Sequence, residues 1–224
     1  MKQLTEQEFN KIISDYNAMA YLGKAEEASH LYPFRNCDLH GRDFTNANLK
    51  QSIFTHANLC GADFRKCDLR YAYFRGADLR GADFTDARLD NATLTDALID
   101  ETTKGLPKLE CPETGAFIAY KKVFEIGTDR ALIAKLLIPE HAKRTSATSR
   151  KCRASEALPI EFLFIHGLKS DVTKVHSWYD TDFIYELDKP VIPKEEFNED
   201  RWNDCSSGIH FFMTFEDAVH YNFN

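Results

Sequence analysis

From Cys37 to Ile99 an apolar residue returns at every fifth position. The centres alternate between leucine and phenylalanine, Leu39, Phe44, Leu49, Phe54, and continue so to Phe84 and Leu89 before Leu94 and Ile99. Two places before the centre sits a small residue such as Cys37, Ala47, Ser52 or Ala57, with Arg42 the one large exception. One place before it stands Asp or Asn: Asp38, Asp43, Asn48, Asn58, Asp63. A period of five fits neither the 3.6-residue helix nor the two-residue strand, and a helix would smear the centres around its circumference. A short fixed period kept over so many copies belongs to a stacked architecture, in which each unit buries its apolar residue only against its neighbours.

The runs ANLCGADFRKCDL and GADLRGADF resemble the pentapeptide-repeat family, and the resemblance covers residues 34–99. It implies a mainly β fold: a right-handed quadrilateral β-helix, a solenoid with four pentapeptides per coil. Residues twenty apart would then stack, with Phe34, Phe54 and Phe74 on one face and Phe44, Phe64 and Phe84 on the opposite one. Adjacent coils should lie about 4.8 Å apart, the strand-to-strand spacing. Arg65, Arg70, Arg75 and Arg80 would be spread one per face, a solvated belt rather than a one-sided nucleic-acid groove. Asp43, Asp63 and Asp83 would stack on one face. Some members of the family mimic duplex DNA with such faces and bind topoisomerases, so these three are the candidate acidic protein-binding face. Homodimers through end coils are also common in the family, which makes a homodimer one expectation here.

Flanking segments divide the remainder. Residues 1–33 read as a helical N-terminal cap. Thr5 and Glu8 form a capping box and Leu4 and Phe9 a staple, ahead of an apolar face of Phe9, Ile12, Ile13, Tyr16 and Met19. Gly23 ends that helix and residues 24–29 add a short second one. Residues 34–100 are the repeat. Residues 101–115, marked by Gly105, Pro107, Pro112 and Gly115, are a linker or a last partial coil. Residues 116–224 read as an α+β domain. Strands are expected at 116–123, 131–138 and 159–165, a strand–turn–strand at 182–193 and a strand at 208–213. A closing helix at 215–221 is capped by Thr214 with Asp217.

At 224 residues the chain has room for two domains. Its net charge of −7 is uneven: residues 37–99 carry 8 basic and 9 acidic groups, residues 100–224 carry 16 and 21. No apolar run approaches a membrane span, so no membrane partner is expected. MKQLTEQEFN lacks the form of a signal peptide. The six cysteines lack a disulfide framework. Reduced thiols in the cytoplasm are therefore the expectation, with Cys37 and Cys67 as packing residues.

In the second domain the segments at 138–154, 179–191 and 198–221 resemble an uncharacterised domain found behind pentapeptide repeats, largely in bacteriophage proteins. That resemblance implies phage origin and brings no known activity with it; the first reading is a non-enzymatic binding protein in the host cytoplasm, the rigid repeat surface suiting shape recognition of a host protein, with a host defence as the process countered. The residues themselves point to a second reading. Lys143, Arg144, Arg150, Lys151 and Arg153 lie among Thr145, Ser146, Thr148 and Ser149 in a segment read as a loop between two apolar strands. Cations and hydroxyls together suit a phosphate or another anion. Ser207, Gly208 and His210 are possible partners in that ligand site.

SSGIHFFMTFEDAVHY also resembles the strand–helix of poly-ADP-ribose-polymerase-like transferases through Gly208, Ile209, Phe211, Ala218 and Tyr221. His210 stands where that family has its nicotinamide-stacking Tyr, and the family's catalytic Glu would lie farther along. A degenerate nucleotide holder is thus implied rather than an active transferase. There is no Gly-rich phosphate loop, HExxH or GxSxG, and His166 has no assigned partner. No catalytic residue, cofactor, metal site or direct nucleic-acid contact is expected. Cys205 and His210 are the pair examined for a metal.

Overall fold

The computed structural model describes residues 1–21, 34–128 and 130–222. The expectations placed on the Met19 side chain, on Gly23 and on a second helix at 24–29 lie outside the described residues. The chain divides into two units, Met1–Lys108 and Leu109–Asn224.

In the first unit, β1 (Lys2–Gln3) pairs in parallel with β2 (Cys37–Asp38), and α1 (Glu6–Tyr21) follows. The Thr5 hydroxyl accepts the Glu8 amide at 3.2 Å while the Glu8 carboxylate accepts the Thr5 amide at 2.8 Å, a closed capping box. From Asp38 onward the chain lies beside itself every twenty residues in parallel bridges: Asp38↔Asn58↔Asp78↔Leu98, Asp43↔Asp63↔Asp83 and their equivalents. The last bridge, Asp83↔Lys104, spans one residue more, so an insertion is absorbed there while the stack runs on past residue 100.

Two ladders of phenylalanine rings fill the interior. Phe34, Phe54 and Phe74 stack at 4.9 and 5.0 Å; Phe44, Phe64 and Phe84 stack at 4.6 and 5.0 Å. The ladders meet edge to face at 5.6–5.8 Å, a geometry that suits the ring quadrupole. Phe9 of α1 lies 5.1 Å from Phe44 and Tyr16 lies 6.1 Å from Phe34. The helix thus covers the first rings with two buried aromatic side chains, while Ile12 and Ile13 stay half-buried. Arg42, the exception at its repeat position, donates to the Leu4 carbonyl at 2.7 Å, pairs with Glu6 and lies over the Phe9 ring at 4.8 Å. It fastens α1 to the repeat.

The second unit is built on a five-stranded antiparallel sheet in the order β7-β4-β3-β8-β9. Its members are β3 (Phe117–Glu125), β4 (Ala131–Ile138), β7 (Leu158–Phe164), β8 (Lys174–His176) and β9 (Ile184–Glu186). ALIAKLLI is apolar almost throughout because β4 is central and covered on both faces, with Leu132, Ile133, Ala134 and Leu136 all fully buried. Pro159 is tolerated because β7 is an edge strand. A second sheet, β10-β6-β5, joins β10 (Ile209–Phe211), β6 (Cys152–Ala154) and β5 (Arg144–Ser146). The bridge Tyr120↔Phe212 links it to β3. The closing helix, α2 (Phe215–His220), is capped by Thr214, whose hydroxyl accepts the Asp217 amide. In this unit three strands were not foreseen: β5, β6 and β8 are each three residues long, too short for a two-residue alternation to show, while of the strand–turn–strand expected at 182–193 the first arm is β9 and the second is only the bridge Ala157↔Val191.

Candidate functional site

The segment 143–154, expected as a loop between two apolar strands, instead forms the ladder of β5 with β6, which corrects the loop reading. The pairing sets Thr145 opposite Arg153, and Arg153 opposite His210 on β10. Residues far apart in sequence are therefore brought together, but their donors are already used.

The Arg144 guanidinium donates to the carbonyls of Gly115, Pro139, Glu140 and Ala142 at 2.6–2.9 Å and lies over the Phe117 ring. Arg153, 1% exposed, donates to the carbonyls of Asn198, Asp200 and Ser207 at 2.8–3.1 Å. Burial pushes its pKa down. Lys143 pairs with Glu199 and Arg150 with Asp217. Thr145 and Ser146 are buried, the Ser146 hydroxyl accepting the Glu110 amide at 2.8 Å. The Ser207 hydroxyl donates to the Glu196 carbonyl. Gly208, at φ +149°, allows the strand to pass Arg153: a Cβ there would lie 3.1 Å from the Arg153 Cβ and 3.3 Å from the Phe197 ring. Arg153 and Lys143 thus staple the 196–208 loop to the small sheet, and Arg144 holds the 139–142 turn.

His210 is part of the same construction. Its Nε2 lies 3.2 Å from the Asp204 carbonyl, which can only accept, so Nε2 carries the proton. Burial first, then the positive charges of Lys121 and Lys151, push its pKa down to about 3. The ring is neutral, with Nδ1 bare. Cys205 does not meet it at a metal; its Sγ lies 3.8 Å from the Lys151 ammonium. No group of three His, Cys, Asp or Glu side chains among the described residues is placed to hold a metal ion.

Asp43, Asp63 and Asp83 do stack, in the register Asp43↔Asp63↔Asp83. Each carboxylate accepts the amide two residues on, at 2.8 Å from Thr45, 3.0 Å from Arg65 and 2.9 Å from Thr85. Asp38, Asn48, Asn58, Asp68 and Asp78 make the same contact. The acidic position of the repeat thus satisfies a turn amide that would otherwise have no protein acceptor. Arg65, Arg70 and Arg80 fold back onto Asp63, Asp68 and Asp78 at 2.5–2.6 Å. The middle of the acidic face is neutralised by Arg65, whose hydrogen bonds hold the Asp63 carboxyl below its usual pKa.

One residue was missed. Lys121 on β3 lies between Ala119 and Val123, both fully buried, and its ammonium is 5.8 Å from the centre of the Tyr185 ring. Burial, reinforced by Lys151, pushes its pKa down to about 8. The signal was available: in FIAYKKVFE the alternate positions Phe117, Ala119, Lys121 and Val123 share one side, so period two alone places a partly buried lysine on the core-facing side of β3.

A model described as "Family of unknown function (DUF5758)" matches residues 107–218, half of the chain. The chain belongs to this family. A second model, "Pentapeptide repeat region", matches residues 30–103. No curated protein matches the chain. Among solved structures, a pentapeptide repeat protein from the cyanobacterium Cyanothece is 31% identical over 30% of this chain and 43% of its own, with a TM-score of 0.23. One from the thylakoid lumen of Arabidopsis thaliana is 35% identical over 31% of this chain and 59% of its own, with a TM-score of 0.21. The chain thus spans less than two thirds of the length of either structure.

Proposed function

We propose that this is a non-enzymatic binding protein that recognises another protein through its second unit, with the repeat as a rigid support. The repeat is read as a right-handed quadrilateral β-helix, a reading supported by the twenty-residue bridges and the two ring ladders. The observation that carries the function is a set of exposed apolar side chains at one end of the five-stranded sheet. Ile126 in the turn after β3, and Ile165 and Leu168 in the turn after β7, are 49%, 54% and 66% exposed. The register Leu132↔Phe164 sets the two turns side by side. Trp178, 50% exposed, packs on Phe124 at 4.9 Å next to them. Grouped exposed apolar side chains mark interaction surfaces, where scattered single ones do not. Aromatic residues such as Trp178 are frequent energetic anchors there.

The partner proposed presents an apolar surface with a basic rim, because the chain's net charge is −7 and complementary charge favours encounter. The resemblance to bacteriophage proteins makes a host protein the first partner to seek. The test is affinity capture from host lysate with the wild-type protein and with the double variant Leu168→Ala/Trp178→Ala. A protein held by the first and lost by the second, with the variant's circular dichroism unchanged, is the expected result. Identical capture by both would overturn the reading.

A further inference from the structure

We propose that the repeat carries a second docking surface, around Tyr71, Tyr73 and Arg75, for an acidic segment of another protein that also brings apolar or aromatic side chains. It is independent of the apolar surface of the second unit. The parallel bridges of the repeat form four ladders. Three of them begin on Asp or Asn, at Asp38, Asp43 and Asn48, whereas the fourth runs Ile53↔Tyr73↔Thr93. Tyr73 is 47% exposed, and Tyr71, two residues before it, is 46% exposed.

Tyr73 stands where the repeat elsewhere places a carboxylate, and the loss falls on Arg75. At three equivalent turns one aspartate accepts both the amide and the guanidinium of the arginine two residues on: Asp63 from Arg65, Asp68 from Arg70 and Asp78 from Arg80. Arg75 has the same amide and the same guanidinium, but a phenol ring cannot take the place of that carboxylate. Its guanidinium is left with Asp96 at 3.5 Å, both side chains being more than half exposed. That separation is longer than a charge-assisted hydrogen bond.

Tyr71 also departs from its position. It has φ +60°, a left-handed conformation that is unfavourable for a bulky side chain and easy for Asn, Asp or Gly. Those three types hold most of the corresponding turns, among them Asn46, Gly61, Asp86 and Asn91. The exposed half of each tyrosine ring gains nothing within the chain, and neighbouring exposed aromatic side chains are frequent anchors of protein contacts. Charge then selects the occupant. The Lys50 ammonium lies 5.7 Å from the centre of the Tyr71 ring and pairs with no carboxylate among the described residues. With Arg75 it gives the tyrosines a border of donors, so a partner's aspartate or glutamate supplies what Tyr73 displaced while its apolar side chains cover the rings.

The experiment is selection of random phage-displayed peptides on the immobilised full-length protein, followed by fluorescence-anisotropy titration of the enriched peptides. Peptides that combine Asp or Glu with an aromatic or large apolar residue are expected. Tyr73→Asp returns the carboxylate to the turn, as at Asp63 and Asp78, so it should fold and should abolish their binding by occupying Arg75 from within. Arg75→Gln should weaken binding by about tenfold, the loss expected for one charged hydrogen bond. Arg80→Gln, at a guanidinium already held by Asp78, should leave it unchanged. Circular dichroism should be the same for all three variants. Enrichment of no peptide, enrichment of peptides without acidic residues, or equal affinity in wild type, Tyr73→Asp and Arg75→Gln would overturn the proposal. Self-association of the wild type that Tyr73→Asp abolishes, read by sedimentation velocity, would assign the surface to a second copy and overturn the partner named here.

Discussion

The phenylalanine ladders allow packing volume to be separated from ring geometry. Phe64 and Phe84 occupy the same position of the repeat and are both fully buried. They differ in ring neighbours: Phe64 touches Phe44, Phe54, Phe74 and Phe84, whereas Phe84 touches Phe64 and Phe74. Leucine is native at the alternate centres, so Phe64→Leu and Phe84→Leu each keep most of the apolar volume. If rings act only as volume, the two substitutions cost alike. If each aromatic pair adds about 0.5–1.5 kcal/mol beyond burial, the two extra pairs at Phe64 make its substitution worse by roughly 1–3 kcal/mol. Phe64→Ala should cost more than either, about 3–5 kcal/mol. The assay is urea unfolding followed by two probes. Both tryptophans, Trp178 and Trp202, lie in the second unit, so their fluorescence reports that unit while circular dichroism also sees the repeat. The dichroism transition should move to lower urea in the order Phe84→Leu, Phe64→Leu, Phe64→Ala. Equal shifts for the two leucine variants would refute the ring argument.

Other expectations follow from the second unit and the turns. Arg153→Ala should destabilise by about 2–4 kcal/mol in denaturant titration, because three carbonyls lose their donor in a dry site, and Arg153→Lys should recover little, lacking the fork that reaches all three. His210 is neutral when folded and has a depressed pKa of about 3. The unfolded chain therefore binds the proton more readily, and stability present above about pH 6.5 is lost as pH falls toward 3. Lys121, Lys151 and Arg153 add to the effect by facing the ring, and His210→Gln should flatten that part of the pH–stability curve. Lys66 has φ +60°, so Lys66→Asn should raise the melting temperature slightly, by the equivalent of about 0.5 kcal/mol. Under native alkylation Cys205, the exposed thiol, should react ahead of the buried Cys67, whose pKa burial pushes up to about 12.

The repeat was legible because its signal is long: the apolar centres, the small residue before them and the acidic turn position are set by one five-residue constraint. Stacking of Asp43 on Asp63 and Asp83 could be read from spacing, but the use of each carboxylate could not, since the amide it accepts appears only once the turn is formed. In the second unit β3, β4, β7 and the Thr214-capped helix were legible from runs of seven or more apolar-rich residues or a local cap. The strands β5 and β6 were not, because three residues carry no period and the strand that completes their sheet begins only at Ile209. The same non-local pairing explains why Arg144 and Arg153 were read as ligand donors. Their acceptors are backbone carbonyls, which no side-chain pattern reveals.

That error indicates where function is to be sought. An arginine fork satisfies several carbonyls at once, so a loop that cannot form its own ladder is readily held by one; Arg144 and Arg153 do this for the 139–142 and 196–208 segments. Density of positive charge in this segment therefore coincides with places where the fold needs staples. The informative groups are those that folding leaves unanswered. On the surface these are Ile165 and Leu168, whose apolar side chains are more than half exposed. A hydrophobic partner would satisfy them. Leu168→Ala should therefore lose the captured protein while its circular dichroism stays that of the wild type, and unchanged capture would refute the reading.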